Sequence, residues 1–423
     1  MLRPDRSKLI LTTLPLLTLL VGGALVLARG GDTPSLVLST TVVGASPAAI
    51  AVDTSAARVY VANRADNSVS VLDAGTGRLL RTQAVGLGPH ALAVDAASEH
   101  IFVGNDDHTI SLLDAHDGND LRTIPLPLNP GMLRLDEVTH RLVAVDTVGG
   151  DDTVAILDTR SGVGTATLDA VTSPRTVALD DRTERAFIAS SATDTIDILD
   201  LRTGVSRRVT TNGAPPVALA VAPKRGRVFV VDGANSNVVI LDAVRGSVLA
   251  RVPAGHNPMA VAVDDRSGHA FVVNRADGTV SVLDATSGHP LRTVAVCPNP
   301  SSIAIDARSE HVFVAATGDP TSPSTPTSSP TLSSTATGCL SVLDAHSGGV
   351  LHRLSVGVHP VAMTVDTKAG RVFVLDSGGA VQVADGWNWL RRLHSLARFL
   401  PLSRSQAHAV SASATVITVN AMR

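Results

Sequence analysis

The stretch RVYVANRADNSVSVLD at 58–73 is written again, almost letter for letter, as HAFVVNRADGTVSVLD at 269–284. Working outward from these two copies, each is preceded by a Pro-led apolar run ending in Asp, SPAAIAVD in one case and NPMAVAVD in the other. That lead recurs eight times, closed by Asp in seven and by Ala222 in the fifth, with prolines at Pro47, Pro89, Pro130, Pro174, Pro216, Pro258, Pro300 and Pro360. Six of the seven spacings lie between 41 and 44 residues, and the last is 60 because of an insertion.

A period in the forties built from short β-like segments predicts an all-β chain, a β-propeller of four-stranded blades. Eight blades follow from eight copies, with seven as the alternative if one copy packs outside the ring. Each unit reads as strand A of the AIAVD type, strand B of the RVYVAN type, strand C of the SVSVLD type and strand D of the LLRTQAVG type, joined by turn residues such as AGTG and RADG. The apolar runs barely alternate, as expected when neighbouring blades cover both faces of every sheet. Strand A is rich in alanine, whereas strand B carries a ring at one fixed place: Tyr60, Phe102, Phe187, Phe229, Phe271, Phe313 and Phe373, with Val143 in the third copy. Thin inner strands and bulky outer ones fill a wedge, so these rings read as core between blades rather than as a ligand cage. The segment LSTTVVGASP (38–47) matches the fourth strand and exit of the first unit, LRTQAVGLGP (80–89), while the eighth unit lacks a clear fourth strand. The N-terminal strand is therefore expected to complete the last blade, whose third strand is drawn from either 380–385 or 415–421.

The text VYVAN (59–63) followed by SVSVLDAGTGRLLRT, with P-x-x-[ILV]-A-[ILV]-D opening each unit, resembles the YVTN β-propeller repeat family of exported and surface-layer proteins. The resemblance spans roughly 36–385. It implies the fold and a broad class of surface-layer components, binding scaffolds and relatives of lactonases and quinoprotein-like chains, and its motif contains no catalytic residue to carry over.

Arg3, Arg6 and Lys8 precede twenty uncharged residues from Leu9 to Ala28, followed by Arg29. The pattern is an export signal, long enough to cross a bilayer as an anchor, with a cleaved signal peptide ending near Ala28 as the competing reading. The chain then divides into a cytoplasmic basic segment (1–8), the anchor or signal (9–28), a linker (29–35) and one propeller (36–423). That propeller is interrupted by a Ser/Thr/Pro-rich loop at 317–338 and a helix-bearing excursion at 386–414, where WNWLRRLHSLARFLPL has amphipathic spacing. The expected location is extracytoplasmic, tethered to the cell membrane, or secreted if the signal is cleaved.

A net charge of −3 offers no basic field for a phosphate backbone, so no nucleic acid is expected as partner. The two cysteines, Cys297 and Cys339, form no CxxC pair and in an exported chain read as one disulfide. Antiparallel order places the D-to-A connections and B-to-C hairpins on one face of the disc (the hairpin face) and the A-to-B and C-to-D turns on the other (the turn face). The first carries the candidate binding residues: His90, Arg175, Asn63, Arg64, Asn274 and Arg275. Asn and Asp at such places usually serve turn geometry, and so do the Asp residues closing strands A and C. The third copy breaks the symmetry, with Arg134 in place of an inner Ala and with Asp146, Asp151 and Asp152 as a candidate divalent-metal cluster that lacks any EF-hand spacing. Histidines before strand B (His100, His140, His269, His311) read as exposed turn residues. No HExxH, GxSxG, P-loop or strand-linked GxGxxG occurs. The expectation is an exported, membrane-anchored, non-catalytic binding module without cofactor, for a protein or cell-envelope ligand. A metal-dependent lactonase-like hydrolase and a structural surface-layer component remain as alternatives.

Overall fold

The structure is a computed structural model and describes residues 37–147, 152–169, 172–318 and 338–385. Over these residues the chain forms eight four-stranded antiparallel sheets and no helix, and so none that could cross a membrane. Blade 1 runs Pro47–Asp53, Arg58–Asn63, Ser68–Asp73 and Leu79–Ala84, and blades 2 to 7 repeat that order. Blade 8 takes its first three strands from Pro360–Asp366, Arg371–Asp376 and Ala380–Asp385 and its fourth from Val37–Val42. The first described strand therefore pairs with the last described one, Val37 opposite Ala384 and Val42 opposite Ala380. Strand 380–385 holds the third place of blade 8, and 415–421 lies outside the described residues. So do the anchor segment 9–28 with its flanks 1–8 and 29–35, nearly all of the 317–338 loop, and the excursion 386–414.

Each inner strand meets the inner strand of the next blade, and that of blade 8 meets that of blade 1, so the ring is closed. Strands B and C are buried almost throughout, D strands are mostly exposed, and A strands are half-buried between a buried proline and a buried Asp. The inner strands keep more solvent contact than the B and C strands beside them, as a channel along the axis of the ring requires. The core divides into eight apolar clusters, each shared by two neighbouring blades. The strand-B rings are all fully buried in them, as the wedge argument requires. Each ring faces a small residue on strand A: Ala51 opposite Tyr60, Ala93 opposite Phe102, Ala262 opposite Phe271. Blade 3 inverts this pairing, with Arg134 opposite Val143.

The turn face is built by repeated aspartates. The carboxylate closing strand C accepts backbone N–H groups two and three residues on, as in Asp200 from Arg202 and Thr203 and Asp284 from Thr286 and Ser287. Those N–H groups hold the carboxyls of Asp158, Asp200, Asp242 and Asp284 below their ordinary range. The sequence reading of these residues as turn formers holds.

The first residue of strand B is always Arg or His, and in five blades it ties the blade to the next. His100 Nδ1 lies 2.9 Å from the Thr159 carbonyl, His269 Nδ1 lies 2.8 Å from that of Ala345, and Arg371 donates to Ala74 across the ring closure at 2.7 Å. Arg185 and Arg227 reach the carbonyls of Ala243 and Thr286 in the same way. In blade 1 the Tyr60 hydroxyl donates to the Ala115 carbonyl, and burial raises its pKa far above the ordinary phenol. The expectation that these histidines are exposed is thus corrected: His100 and His269 are half-buried ties, and His311 is buried.

Burial also pushes the imidazoles of His311 and His352 below their usual value near 6.5. An unfolded chain protonates such histidines first, so the stability at stake is complete above about pH 6.5 and declines as pH falls below it. The strand-C aspartates act in a lower window, their contribution being lost only below about pH 3.9. Urea titrations from about pH 7 to about pH 5 should show falling stability, and His352→Leu should flatten that fall. An unchanged slope in the variant would show that His352 takes no part.

Candidate functional site

The hairpin face is assembled from D-to-A connections laid against B-to-C hairpins: Arg64 N–H donates to the Ser46 carbonyl in blade 1, and Arg275 N–H donates to that of Asn257 in blade 6. The residue after each leading proline stands where the channel opens onto this face. It reads Ala48, His90, Gly131, Arg175, Val217, Met259, Ser301 and Val361, so the mouth varies from blade to blade although the strands behind it repeat.

His90 is held in a network that joins blades 1 and 2. Its Nδ1 lies 2.8 Å from the Gly88 carbonyl and 3.3 Å from Asp106 Oδ1, and the side chain is only 10% exposed. Both neighbours accept, so Nδ1 carries the proton, while Nε2 is enclosed with no partner among the described residues. Arg64 grips the same carboxylate from blade 1, Nε and Nη2 lying 3.0 and 2.9 Å from Asp106 Oδ2. Asn67 Oδ1 completes the seam by accepting from Gly88 N–H at 2.8 Å. The sequence did not single out Asp106; the signal was an acid one repeat after Arg64 at the equivalent hairpin position.

Asn63 and Asn274, expected among the exposed binding residues, are buried instead. Asn63 Oδ1 accepts from Gly44 N–H, and Nδ2 donates to Ser68 and Ser70 at 3.0 and 2.9 Å. Asn274 repeats this with Gly255, Thr279 and Ser281. A Cβ on Gly44 would stand 2.6 Å from Asn63 Cγ, so only glycine lets that amide seat. These residues support the face from beneath. Arg175 and Arg275 are exposed on blades 4 and 6, well apart in the ring from His90 and Arg64 on blades 2 and 1. The named candidates therefore form separate points around the rim rather than one constellation.

Of the acidic trio, Asp146 is buried and Asp152 Oδ1 accepts the Ser173 N–H at 2.8 Å, while Asp151 lies outside the described residues. Among the described residues no group of three or more His, Cys, Asp or Glu side chains is placed to hold a metal. Cys297 and Cys339 are joined in a disulfide with Cα atoms 6.1 Å apart, linking the connection before blade 7 to the first residue of its third strand.

A sequence profile described as outer membrane protein assembly factor BamB matches residues 15–210. The chain resembles a BamB-type propeller. The match covers a little under half of the chain, and no curated protein matches over any length. Among solved structures, the computationally designed protein Ika8 superposes with a TM-score of 0.63 at 17% identity, covering 82% of this chain and 98% of its own. Dihydro-heme d1 dehydrogenase NirN, in complex with DHE, gives 0.61 at 13% identity over 83% of this chain and 77% of that one. Hydrazine synthase of Kuenenia stuttgartiensis gives 0.52 at 17% identity, covering 64% and 92%. At these identities the likeness is one of fold.

Proposed function

We propose that this chain is an exported β-propeller, tethered to the membrane by segment 9–28, that binds a protein or cell-envelope ligand through its hairpin face and performs no chemistry itself. The observation that carries the reading is the distribution of individuality. The strands and turn-face caps repeat around the ring, whereas the residues at the channel mouth, Arg175 among them, do not. A ring with a uniform body and a variable face suits recognition. The BamB resemblance supports a role beside other envelope proteins, and the repeat text supports the finer YVTN assignment.

The topology gives this reading an orientation. Val37 pairs with Ala384 at the turn-face end of blade 8, so the chain enters and leaves the described disc side by side on that face. A tether at 9–28 would then turn the hairpin face away from the membrane, toward envelope partners. The Trp- and Arg-bearing segment 387–400 would join on the membrane side.

Photo-crosslinking residues placed at 64, 175 and 275 should yield discrete adducts in intact cells, and residues placed on the exposed outer strands at 121 and 291 should not. Adducts confined to the outer strands would overturn the face assignment. A stoichiometric divalent ion in the purified protein would favour the hydrolase reading instead.

A further inference from the structure

Between each leading proline and the residue closing strand A, the eight inner strands carry two permanently charged side chains, Arg134 and Arg175, and no acidic one. Both lie on adjacent strands, Met132–Asp136 of blade 3 and Pro174–Asp180 of blade 4, which pack side by side along the channel. Counted back from the closing Asp, Arg134 is two residues in and Arg175 five. The offset of three strand residues corresponds to about 10 Å along the strand direction. Arg175 thus stands at the mouth and Arg134 below it.

The position of Arg134 is taken by Ala in six other blades and by Thr364 in blade 8. Its side chain makes one hydrogen bond, from Nη1 to the carbonyl of the neighbouring Leu133 at 2.9 Å. No carboxylate among the described residues pairs with Arg134 or with Arg175. Arg134 is exposed to solvent although it belongs to an innermost strand. Partial desolvation beside the neighbouring blades lowers its pKa. An exposed cation on an innermost strand, with no carboxylate partner among the described residues, faces the channel. A guanidinium there presents a planar fork of donors that matches an oxyanion. Each inner strand also has a sheet partner on one side only, so its other edge turns unpaired N–H groups toward the axis, adding donors.

We propose that Arg134, with Arg175 above it, forms a site inside the central channel for a small oxyanion, a carboxylate or a phosphate, that enters from the hairpin face. The site lies below the rim and shares only Arg175 with the partner-binding face, so Arg134 tests it independently of that reading.

Calorimetric titration of the full chain in detergent, at low ionic strength, with inorganic phosphate and separately with succinate tests this. One site per chain is expected for at least one probe. Phosphate alone would assign a phosphate-bearing ligand, and succinate alone a carboxylate. Arg134→Ala should weaken binding about tenfold or more, Arg134→Lys several-fold because a point charge lacks the fork, and Arg175→Ala by about threefold. Arg292→Ala, on the exposed outer strand of blade 6, should change nothing. Because Ala is the residue of the other blades and the lost charge is unpaired, Arg134→Ala should melt no lower than the parent, which separates lost binding from lost fold. Failure of both probes to bind the parent chain, or binding unchanged in Arg134→Ala, would overturn the proposal.

Discussion

Deleting residues 37–42 should open the ring and destabilise the protein more than any single substitution. Blade 8 would keep three strands and lose the five-rung pairing of Val37–Val42 with Ala380–Asp385. The same strand reaches blade 1, where Ser39 and Thr41 donate to the carbonyls of Thr76 and Gly77 at 3.3 and 2.6 Å. Its loss also exposes the outer edge of strand 380–385, a row of unpaired backbone groups. The expected cost is on the order of 5 kcal/mol, which for a chain of this size lowers the melting temperature by roughly 5–10 °C. Hydrogen exchange should quicken most in blade 8 and in blade 1 beside it, because the cluster they share contains Phe373, Val381, Val383, Val59 and Leu72. A melting curve and exchange map indistinguishable from the parent would show that the clasp is dispensable.

The second large effect is expected at the strand-B ring. Phe271 packs with Val273, Val280 and Val282 of its own blade and with Val312, Val314, Leu343 and Ala345 of blade 7. Truncation to Ala leaves a cavity in a seam that cannot collapse without moving a whole blade, so Phe271→Ala should cost about 3–5 kcal/mol. Truncating Leu291, exposed on the outer strand of the same blade, should cost under about 0.5 kcal/mol. Blade 3 supplies the converse test. Val143→Phe alone should be overpacked, at a cost of about 1–3 kcal/mol, because Arg134 stands opposite it. With Arg134→Ala added, the pair becomes the Ala–Phe of the other blades, and the double variant should recover at least part of that loss. Equal costs for Phe271→Ala and Leu291→Ala, or strict additivity at 134 and 143, would refute this account of the wedge.

Much of this architecture is legible in the sequence, because a wedge that must be filled eight times leaves its demands in the text eight times. The rings, the inner alanines, the clasp at 38–47 and the pairing of Cys297 with Cys339 all follow from repeat position. The hairpin face was less legible because its contacts run between copies. Asn63 and Asn274 look like surface turn residues in isolation. What marks them as buried is the alternating hydroxyl pair downstream, Ser68 with Ser70 and Thr279 with Ser281, together with the glycine that precedes each blade. Asp106 draws meaning only from Arg64 one blade earlier, and His100 and His269 only from a carbonyl one blade later. Arg134 was visible as a departure from the repeat, but its lack of a counter-charge is a property of the whole channel wall. No segment of sequence displays that.

The pairing of Val37 with Ala384 also sets the order of events when the protein is made. Among the described strands, the one that leaves the ribosome first has its partner in the one that leaves last. At usual synthesis rates the intervening stretch takes roughly 20–70 s to appear. Blades 1 to 7 are each complete within one local stretch of chain and can form as they emerge, whereas the eighth waits for the far end. Through that interval the Val37–Val42 strand is an unpaired edge on a nascent or translocating chain, open to wrong partners. Ring closure should therefore be the late, non-local step of folding, and a chaperone acting on this protein would have most to gain by covering its first strand.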